Sequence, residues 1–211
     1  MSTMTETLEK TEALFIPVDG DSSETTRNGY IPMAEGDHLG HIIEARAITR
    51  EFTKNKRTVK ASIFNFKIKI ADENRHNKYH VKGQEIHGEH YIGKEIMADG
   101  VFRYLEPSTE DTFESNAAEN KRYLMFCQSL GMEIPIEKRT INGKTVEVQL
   151  LPVINIDDLN GTPVVAVVGR GQDWTHDDGS SRPSYKVKFT KLWQDGKRIT
   201  VTTKGDDDLP F

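Results

Sequence analysis

The chain has little of what marks a secreted or membrane-bound protein. Its single cysteine, Cys127, cannot form an internal disulfide, which favours a reducing, cytoplasmic setting. The longest apolar run is about Val164 to Val168, far short of the roughly 20 residues that span a bilayer, so no contact with a membrane is expected. The acidic N-terminus lacks the basic and then apolar order of a signal peptide. The sequence therefore predicts neither secretion nor membrane insertion.

An overall excess of cations is also missing, because the 211 residues carry a net charge of −5. Taken alone, that charge argues against a polyanionic partner such as nucleic acid. The charges are segregated, however: residues 1–36 carry −5, the last six residues carry −3, and residues 37–205 carry +3. Acidic ends thus flank a mildly basic middle, which suggests acidic tails on a domain that binds anions.

The spacing of apolar residues predicts a mainly β domain with one helix. Helical spacing closed by Gly131 predicts a helix over Ser115–Leu130. Alternating patterns predict strands over His38–Arg50, Thr58–Ile70, Tyr91–Met97, Val101–Leu105, Thr145–Ile156, Pro163–Arg170, Tyr185–Trp193 and, as a last candidate, Arg198–Thr203. With its helix between the third and fourth strands, this order matches a five- to six-stranded Greek-key barrel of the oligonucleotide-binding (OB) type.

The same patterns divide the chain into three parts. Residues 1–36 are predicted to be a flexible acidic arm, 37–203 the OB-fold domain and 204–211 an acidic C-terminal tail. Residues 71–90 contain almost nothing apolar and predict a long exposed loop. Within the second predicted strand the apolar phase slips between Ile63 and Phe64, which indicates either a bulge or a strand that serves two faces.

The last six residues form a compact recognition element, in which three carboxylates precede Leu-Pro-Phe. An apolar pocket can take the terminal ring, a basic rim can pair with the carboxylates, and the proline limits the entropy lost on binding. This hexapeptide closely resembles the C-terminal tip of bacterial and phage single-stranded DNA-binding proteins, which docks replication and repair enzymes. The resemblance implies a partner-binding role for Asp206, Asp207, Asp208, Leu209, Pro210 and Phe211.

Over Gly36–Ile70, where a basic turn follows the first predicted strand, the chain is more similar to the phage-encoded members of that family. Only Gln194–Gly205 lies between the predicted strand that ends at Trp193 and the tip. The long Gly-, Pro- and Gln-rich linker of the bacterial members is therefore missing. The homotetramer of the bacterial members is therefore not implied, and self-association stays open. The resemblance implies action on DNA during replication, recombination and repair, in the cytoplasm of a bacterial or phage-infected cell.

Basic and aromatic residues interleave at three places that an OB barrel would bring to one groove. Sequence-tolerant binding of a single strand needs cations along the phosphates and aromatic rings against the bases. Phe52 and Trp174 are the sharpest candidates, because a large ring in a polar loop has no local core to enter, whereas Lys67 and Lys69 could equally form a solvated strand face. The predicted DNA-binding residues are Phe52, Lys54, Lys56, Arg57, Lys60, Lys67, Lys69, Tyr91, Phe102, Arg103, Tyr104, Arg170, Trp174, Lys186 and Lys188.

Two other functions compete with this interpretation. One is a recombination mediator or annealing protein, which binds DNA but acts chiefly through protein contacts. The other is a metal-dependent enzyme that uses His76, His80, His87 and His90, although their spacing departs from that of structural zinc sites and no thiolate lies nearby. Neither a phosphate-binding loop nor a nucleophile elbow is present in the sequence. No cofactor, no metal and no catalysis are therefore expected.

The sequence as a whole predicts a protein that coats single-stranded DNA without strong sequence preference and recruits enzymes through its tip. The tip is acidic and lies close in sequence to a basic domain. We therefore expect weak competition between the tip and DNA, with DNA binding freeing the tip for its partners.

Overall fold

The computed structural model describes residues 31–54, 56–106, 113–175 and 181–201. By their internal contacts the residues fall into two units, 1–32 and 33–211, and every element below belongs to the second. Nearly all of the predicted acidic arm and the whole C-terminal tip lie outside the described residues.

The described part of the chain is mainly β with one α-helix, as predicted. Among these residues no helix is long and apolar enough to cross a membrane. Short 3₁₀ turns occupy Asp72–His76, Gly88–Tyr91 and Ile156–Leu159. The other elements are β1 Gly36–Lys54, β2 Arg57–Ile70, β3 Lys78–Val81, β4 Gln84–His87, β5 Glu95–Met97, β6 Val101–Tyr104, α1 Phe113–Ser129, β7 Ile136–Ile141, β8 Lys144–Gln149, β9 Pro163–Arg170, β10 Trp174–Thr175, β11 Ser181–Arg182 and β12 Tyr185–Leu192.

Six strands form one sheet in the order β12-β9-β1-β2-β5, with β6 also paired to β2. All of these pairings are antiparallel. The two ends of this order meet at one place, where Ala98 makes a parallel bridge to Val187 and the Asp99 amide donates to the Val187 carbonyl at 3.0 Å. The sheet therefore curls so that β12 lies beside the segment between β5 and β6.

Strand β2 buries first one face and then the other, which explains the phase slip in its sequence. Val59 and Ala61 are buried on one face, and Phe64 and Phe66 begin the buried row on the opposite face. The pairing with β1 runs through this point without a shift. The two-face interpretation is therefore confirmed for β2, and the bulge lies in β1 instead, between Ile42 and Glu44.

Helix α1 covers the inner face of β2. Phe64 packs on Tyr123 with ring centroids 5.5 Å apart, and Phe66 stacks on Phe126 at 5.0 Å. Each such buried ring contributes about 1.5–3 kcal/mol relative to an exposed one. Cys127 is fully buried beside them, and burial raises the pKa of its thiol. This cysteine is therefore part of the core, as its apolar helical context predicts.

Residues 71–90 are mostly exposed, as their polarity predicts, but they are not a loop. They form two 3₁₀ turns and the β3–β4 hairpin, fixed on Asn74, which is fully buried. The Asn74 amide group donates to the carbonyls of Leu39 at 2.6 Å and Ala71 at 2.8 Å. Its carbonyl accepts from the Leu39 amide at 2.9 Å and from the Tyr79 hydroxyl at 3.1 Å. The buried Asn74 side chain thus holds this segment against β1, a role that apolar side chains usually have. The spacing of apolar residues in the sequence cannot predict such a contact.

Three predicted strands are shorter than predicted or, over the described residues, absent. In Tyr91–Met97 only β5 is a strand, because the chain turns at Gly93 with φ +77°. In Thr145–Ile156 only the part in β8 is a strand; it pairs with the unpredicted β7 across an Asn-Gly turn, with φ +51° at Asn142. Residues 198–201 are not a strand, and the end of that prediction lies outside the described residues.

A buried histidine makes the stability of this fold depend on pH. His38 is fully buried, stacks on Tyr79 at 4.2 Å, and its Nε2 lies 2.9 Å from the Ala34 carbonyl. Burial lowers the pKa of His38, although the Ala34 hydrogen bond and Asp37 oppose that shift. The unfolded chain therefore takes up this proton near pH 6.5 while the folded chain resists it, so stability is present above that pH and is lost below it.

We expect the urea midpoint to fall more between pH 7.5 and pH 5.5 in the wild type than in His38→Phe, which keeps a ring against Tyr79. His80→Gln is the control, because His80 is exposed. The urea midpoint of this variant should depend on pH as it does in the wild type. Equal pH dependence in the wild type and in His38→Phe would contradict the role given to burial.

Candidate nucleic-acid interface

Strand register places basic, apolar and aromatic side chains on one side of the curved sheet, which we call the outer face. Residues that pair directly across neighbouring strands have their side chains on the same face of the sheet. Two rows across β1, β2 and β6 therefore define the outer face: Arg50–Ala61–Tyr104 and Ile48–Ile63–Phe102. The outer face consists of Glu44, Arg46, Ile48, Arg50, Phe52 and Lys54 on β1, Val59, Ala61, Ile63, Asn65, Lys67 and Lys69 on β2, Phe102 and Tyr104 on β6, and Glu95 and Met97 on β5.

Three rings form an aromatic cluster at one end of the outer face. Phe52 lies 6.0 Å from Phe102 and 6.2 Å from Tyr104, and the last two stack at 6.2 Å with an interplanar angle of 24°. All three side chains are half-buried, and they lie over the buried Val59 and Ala61. The cluster therefore covers part of the core and still presents aromatic surface to solvent.

Phe52 reaches this cluster because β1 is longer than its sequence pattern predicts. Residues 51–54 continue the strand, so the prediction that Phe52 and Lys54 lie in a loop is wrong. Lys56 is exposed in the tight turn of the hairpin, with φ +63°. Arg57 pairs with Lys54 at the start of β2, and its side chain lies outside the description.

Lys54 fixes the orientation of Tyr104. Its Nζ donates to the Tyr104 hydroxyl at 3.1 Å, lies 4.5 Å from the centre of that ring, and pairs with Glu119 of α1 at 3.2 Å. The hydrogen bonds to Tyr104 and Glu119 raise the pKa of Lys54, although partial desolvation opposes them. In addition, the Tyr104 amide donates to Asn120 at 2.9 Å. Side chain and backbone thus hold one ring of the cluster against the helix.

The cations of the outer face differ in how far they are neutralised. Lys67 pairs with Glu44 at 3.0 Å and with Glu95 at 3.4 Å; the Glu44 contact chiefly raises the pKa of Lys67 and lowers that of Glu44. Arg46 also pairs with Glu44, at 3.2 Å. Lys69 and Arg50 are exposed. Exposed pairs of this kind contribute little to stability, so a phosphate can replace a carboxylate at small cost.

Sequence reasoning missed ten members of the outer face. Alternation could have found Arg46 and Arg50 if the first strand had been extended to Lys54, because both then fall on the side that Phe52 occupies. The missed residues are Glu44, Arg46, Ile48 and Arg50 on β1, Val59, Ala61, Ile63 and Asn65 on β2, and Glu95 and Met97 on β5.

Among the predicted residues on or beside β2 and β6, three do not belong to the outer face. Lys60 pairs with Glu51, and Arg103 pairs with Ser62, on the opposite side of the sheet. The Arg103 guanidinium lies 5.8 Å from the centre of the Tyr123 ring. Tyr91 is fully buried, and burial raises the pKa of its hydroxyl to about 12, so the prediction of an exposed Tyr91 is wrong.

A second basic region adjoins the outer face at the point where β12 meets the segment between β5 and β6. Lys186 and Lys188 both contact Asp99, the latter at 3.8 Å. The next residue, Gly100, lies so close to the outer face that a Cβ there would be 2.9 Å from Ile63 Cγ2. We call Asp99, Lys186 and Lys188 the basic seam, which brings two of the three predicted regions together.

The remaining predicted residues lie at the far end of β9. Arg170 pairs with Tyr185 in the sheet, and its guanidinium binds Asp173 through two contacts of 3.1 and 2.7 Å. The Asp173 hydrogen bond raises the pKa of Arg170, and the same contact lowers the pKa of Asp173. Trp174 pairs with Arg182 in the β10–β11 hairpin. The Trp174 side chain is not among those that the structure describes. The polar loop that was predicted here therefore contains a short hairpin.

The four candidate metal ligands are distributed over the β3–β4 hairpin and its flanking turns. His80 and His87 lie in β3 and β4, and His76 and His90 lie in the 3₁₀ turns. Across the described ranges, no group of three or more His, Cys, Asp or Glu side chains is placed to hold a metal ion.

We compared the chain with protein-family models, with curated proteins and with solved structures, and found no match in any of the three.

Proposed function

We propose that the protein binds single-stranded DNA without strong sequence preference during replication, recombination and repair. The observation that carries the proposal is the outer face, where a half-buried aromatic cluster continues into a surface with Arg46, Arg50, Lys67 and Lys69. Base stacking on such rings gives about 1–3 kcal/mol per base, and cations beside them take the phosphates. The role in replication, recombination and repair rests on the resemblance of the C-terminal hexapeptide.

We further propose that the domain is an OB fold. The order β12-β9-β1-β2-β5/β6, the position of α1 before β9 and the parallel contact between Ala98 and Val187 all support this assignment. The outer face lies on β2 and on the strands that pair with it, and the basic seam lies at its edge. In this fold class the corresponding strands and the adjacent loops bind oligonucleotides.

Recruitment of enzymes is assigned to Asp206–Phe211, which lies outside the described residues. The support for that role is chemical: three carboxylates and a terminal aromatic residue fit an apolar pocket with a basic rim. Removal of these six residues should abolish capture of the partner enzymes and leave the fold unchanged.

The decisive experiment is a titration with single-stranded and duplex oligonucleotides at several salt concentrations. We expect preference for the single strand, with a log-log salt slope of about −0.7 for each phosphate neutralised. Equal affinity for both forms, or no binding, would reject the proposal.

The two faces of the β1–β2 hairpin offer a sharper comparison. Arg50 lies on the outer face and Lys60 on the opposite face, and both side chains are exposed. Because Arg50→Gln removes one phosphate contact, we expect it to reduce the steepness of the salt slope by about 0.7. Lys60→Gln should leave both slope and affinity at wild-type values. Equal effects of the two variants on the salt slope would show that the outer face is not the surface that binds DNA.

A further inference from the structure

One side-chain amide lies in the middle of the outer face. Asn65 is the only asparagine or glutamine among the residues that define this face, and it pairs directly with Arg46 of β1. Its side chain is half-buried, and among the described residues it has no hydrogen-bond partner. The other uncharged polar group of the face, the Tyr104 hydroxyl, already accepts from Lys54. The Asn65 amide is therefore available to a ligand that offers a donor and an acceptor side by side.

Gly100 shows that this amide lies next to the aromatic cluster. The residue sits between β5 and β6, and a Cβ there would be 3.1 Å from Asn65 Oδ1 and 3.8 Å from Phe102 Cε2. The amide oxygen and that ring atom are therefore no more than about 7 Å apart, and Gly100 adds no side chain between them. A base that stacks on Phe102 consequently has its edge within reach of Asn65.

The chemistry of an amide suits every DNA base. On its Watson–Crick edge each base presents a donor beside an acceptor: N6–H and N1 in adenine, N4–H and N3 in cytosine, N3–H and O4 in thymine, N1–H and O6 in guanine. Such edges are open to side chains in a single strand. A carboxamide also has a donor beside an acceptor, and a half-turn of its terminal torsion exchanges the two. It can therefore form two hydrogen bonds with any of the four bases.

We propose, on the basis of the function proposed above, that Asn65 hydrogen-bonds the edge of the base that stacks on Phe102. The amide turns to fit whichever base is present, so the contact adds affinity without selecting a sequence. Arg46 lies beside it in the sheet with a 77% exposed side chain, which suits a contact with the adjacent phosphate. One nucleotide is thus held at its ring face, its edge and its backbone.

This role predicts that Asn65→Asp creates a base preference that the wild type lacks. Aspartate has nearly the shape of asparagine, but its ionised carboxylate only accepts hydrogen bonds. Guanine alone presents two donors side by side on this edge, N1–H and the N2 amino group. Hypoxanthine, the base of deoxyinosine, lacks the N2 amino group and otherwise matches guanine. The variant should therefore favour guanine over hypoxanthine, and the wild type should bind both equally.

The probes are two thymidine oligonucleotides that differ only at one central position, which holds deoxyguanosine in one and deoxyinosine in the other. The protein can shift along the strand until this position meets residue 65. Fluorescence anisotropy at fixed salt gives both affinities. Asn65→Asp should bind the guanine probe about fivefold or more tightly than the inosine probe, which is the lower end for one bidentate base contact. Both affinities should fall below wild type, because the new carboxylate repels phosphates.

Two further variants separate the base contact from charge and from packing. Ser62→Asp adds the same charge to β2 on the opposite face, where Ser62 pairs with Arg103, so it should show no preference between the probes. Asn65→Leu removes both hydrogen bonds and should weaken binding of the two probes to the same extent. Its salt slope should match that of the wild type, because no phosphate contact is lost.

Three results would overturn the inference and leave the proposed function standing. They are no guanine preference in Asn65→Asp, the same preference in Ser62→Asp, and wild-type affinity in Asn65→Leu. A marked preference in the wild type would also contradict it, because the amide would then be fixed in one orientation. If the wild type binds neither probe, the proposed function itself is rejected, and the inference is rejected with it.

Discussion

Replacing Phe102 by alanine is expected to weaken binding of single-stranded DNA by about 5- to 150-fold. Phe102 is the central residue of the aromatic cluster, within stacking or edge contact of both Phe52 and Tyr104. The expected loss corresponds to about 1–3 kcal/mol for one stacked base. Fluorescence anisotropy with a labelled oligonucleotide at fixed salt measures it directly.

Phe102→Ala could also disturb the fold, because this ring helps to cover the β2 strand. Phe102→Leu separates the two effects: leucine keeps the apolar cover but has no aromatic face, so the thermal midpoint should be nearly retained while affinity falls. Val153→Ala is the control, since Val153 is 75% exposed and lies outside the outer face. Wild-type affinity in Phe102→Leu and Phe102→Ala would remove the aromatic cluster from the proposed interface.

Replacing Asn74 by leucine is expected to lower the free energy of unfolding by about 1–3 kcal/mol. The variant leaves the Leu39 amide without its partner, and a buried polar group without a partner costs about that much. The carbonyls of Leu39 and Ala71 lose the bonds from the Asn74 side chain but keep those from the backbone amides of Ala71 and Asn74. Urea unfolding followed by circular dichroism gives the difference.

Asn155 provides a matched control for Asn74. Its side chain accepts a long contact of 3.4 Å from the Asp157 amide in an exposed 3₁₀ turn. Asn155→Leu should therefore change stability by less than about 0.5 kcal/mol. If both asparagine variants cost the same, the Asn74 network does not hold the segment from residue 71 to residue 90.

The sequence predicts correctly those elements whose structure follows from the regular spacing of their own apolar residues. Strand β9 matches the predicted Pro163–Arg170, and α1 and β12 agree with their predictions to within a few residues, because each buries a regular apolar row. The segment around Asn74 fails for the opposite reason. Its main partner, Leu39, lies in β1, and a hydrogen-bonded amide leaves no trace in an apolar pattern.

The candidate site was predictable in composition and only partly in arrangement. The sequence predicts Phe52, Phe102 and Tyr104 as DNA contacts, but the contact among these three rings depends on the register of three strands. Register also separates Lys60 and Arg103 from them, since one step along a strand reverses the face. Tyr91 was misplaced because an aromatic residue beside a polar segment gives no sign that His38 and Tyr79 will enclose it.

The β1–β2 hairpin has a kinetic consequence. Its register runs without interruption from the Lys54–Arg57 pair at the turn to the Glu44–Lys67 pair, so its first contacts join residues that are close in sequence. Such local contacts close early in folding, whereas the bridge from Ala98 to Val187 must wait for a long loop to close. Much of the outer face is therefore expected to be assembled while the two ends of the sheet are still apart.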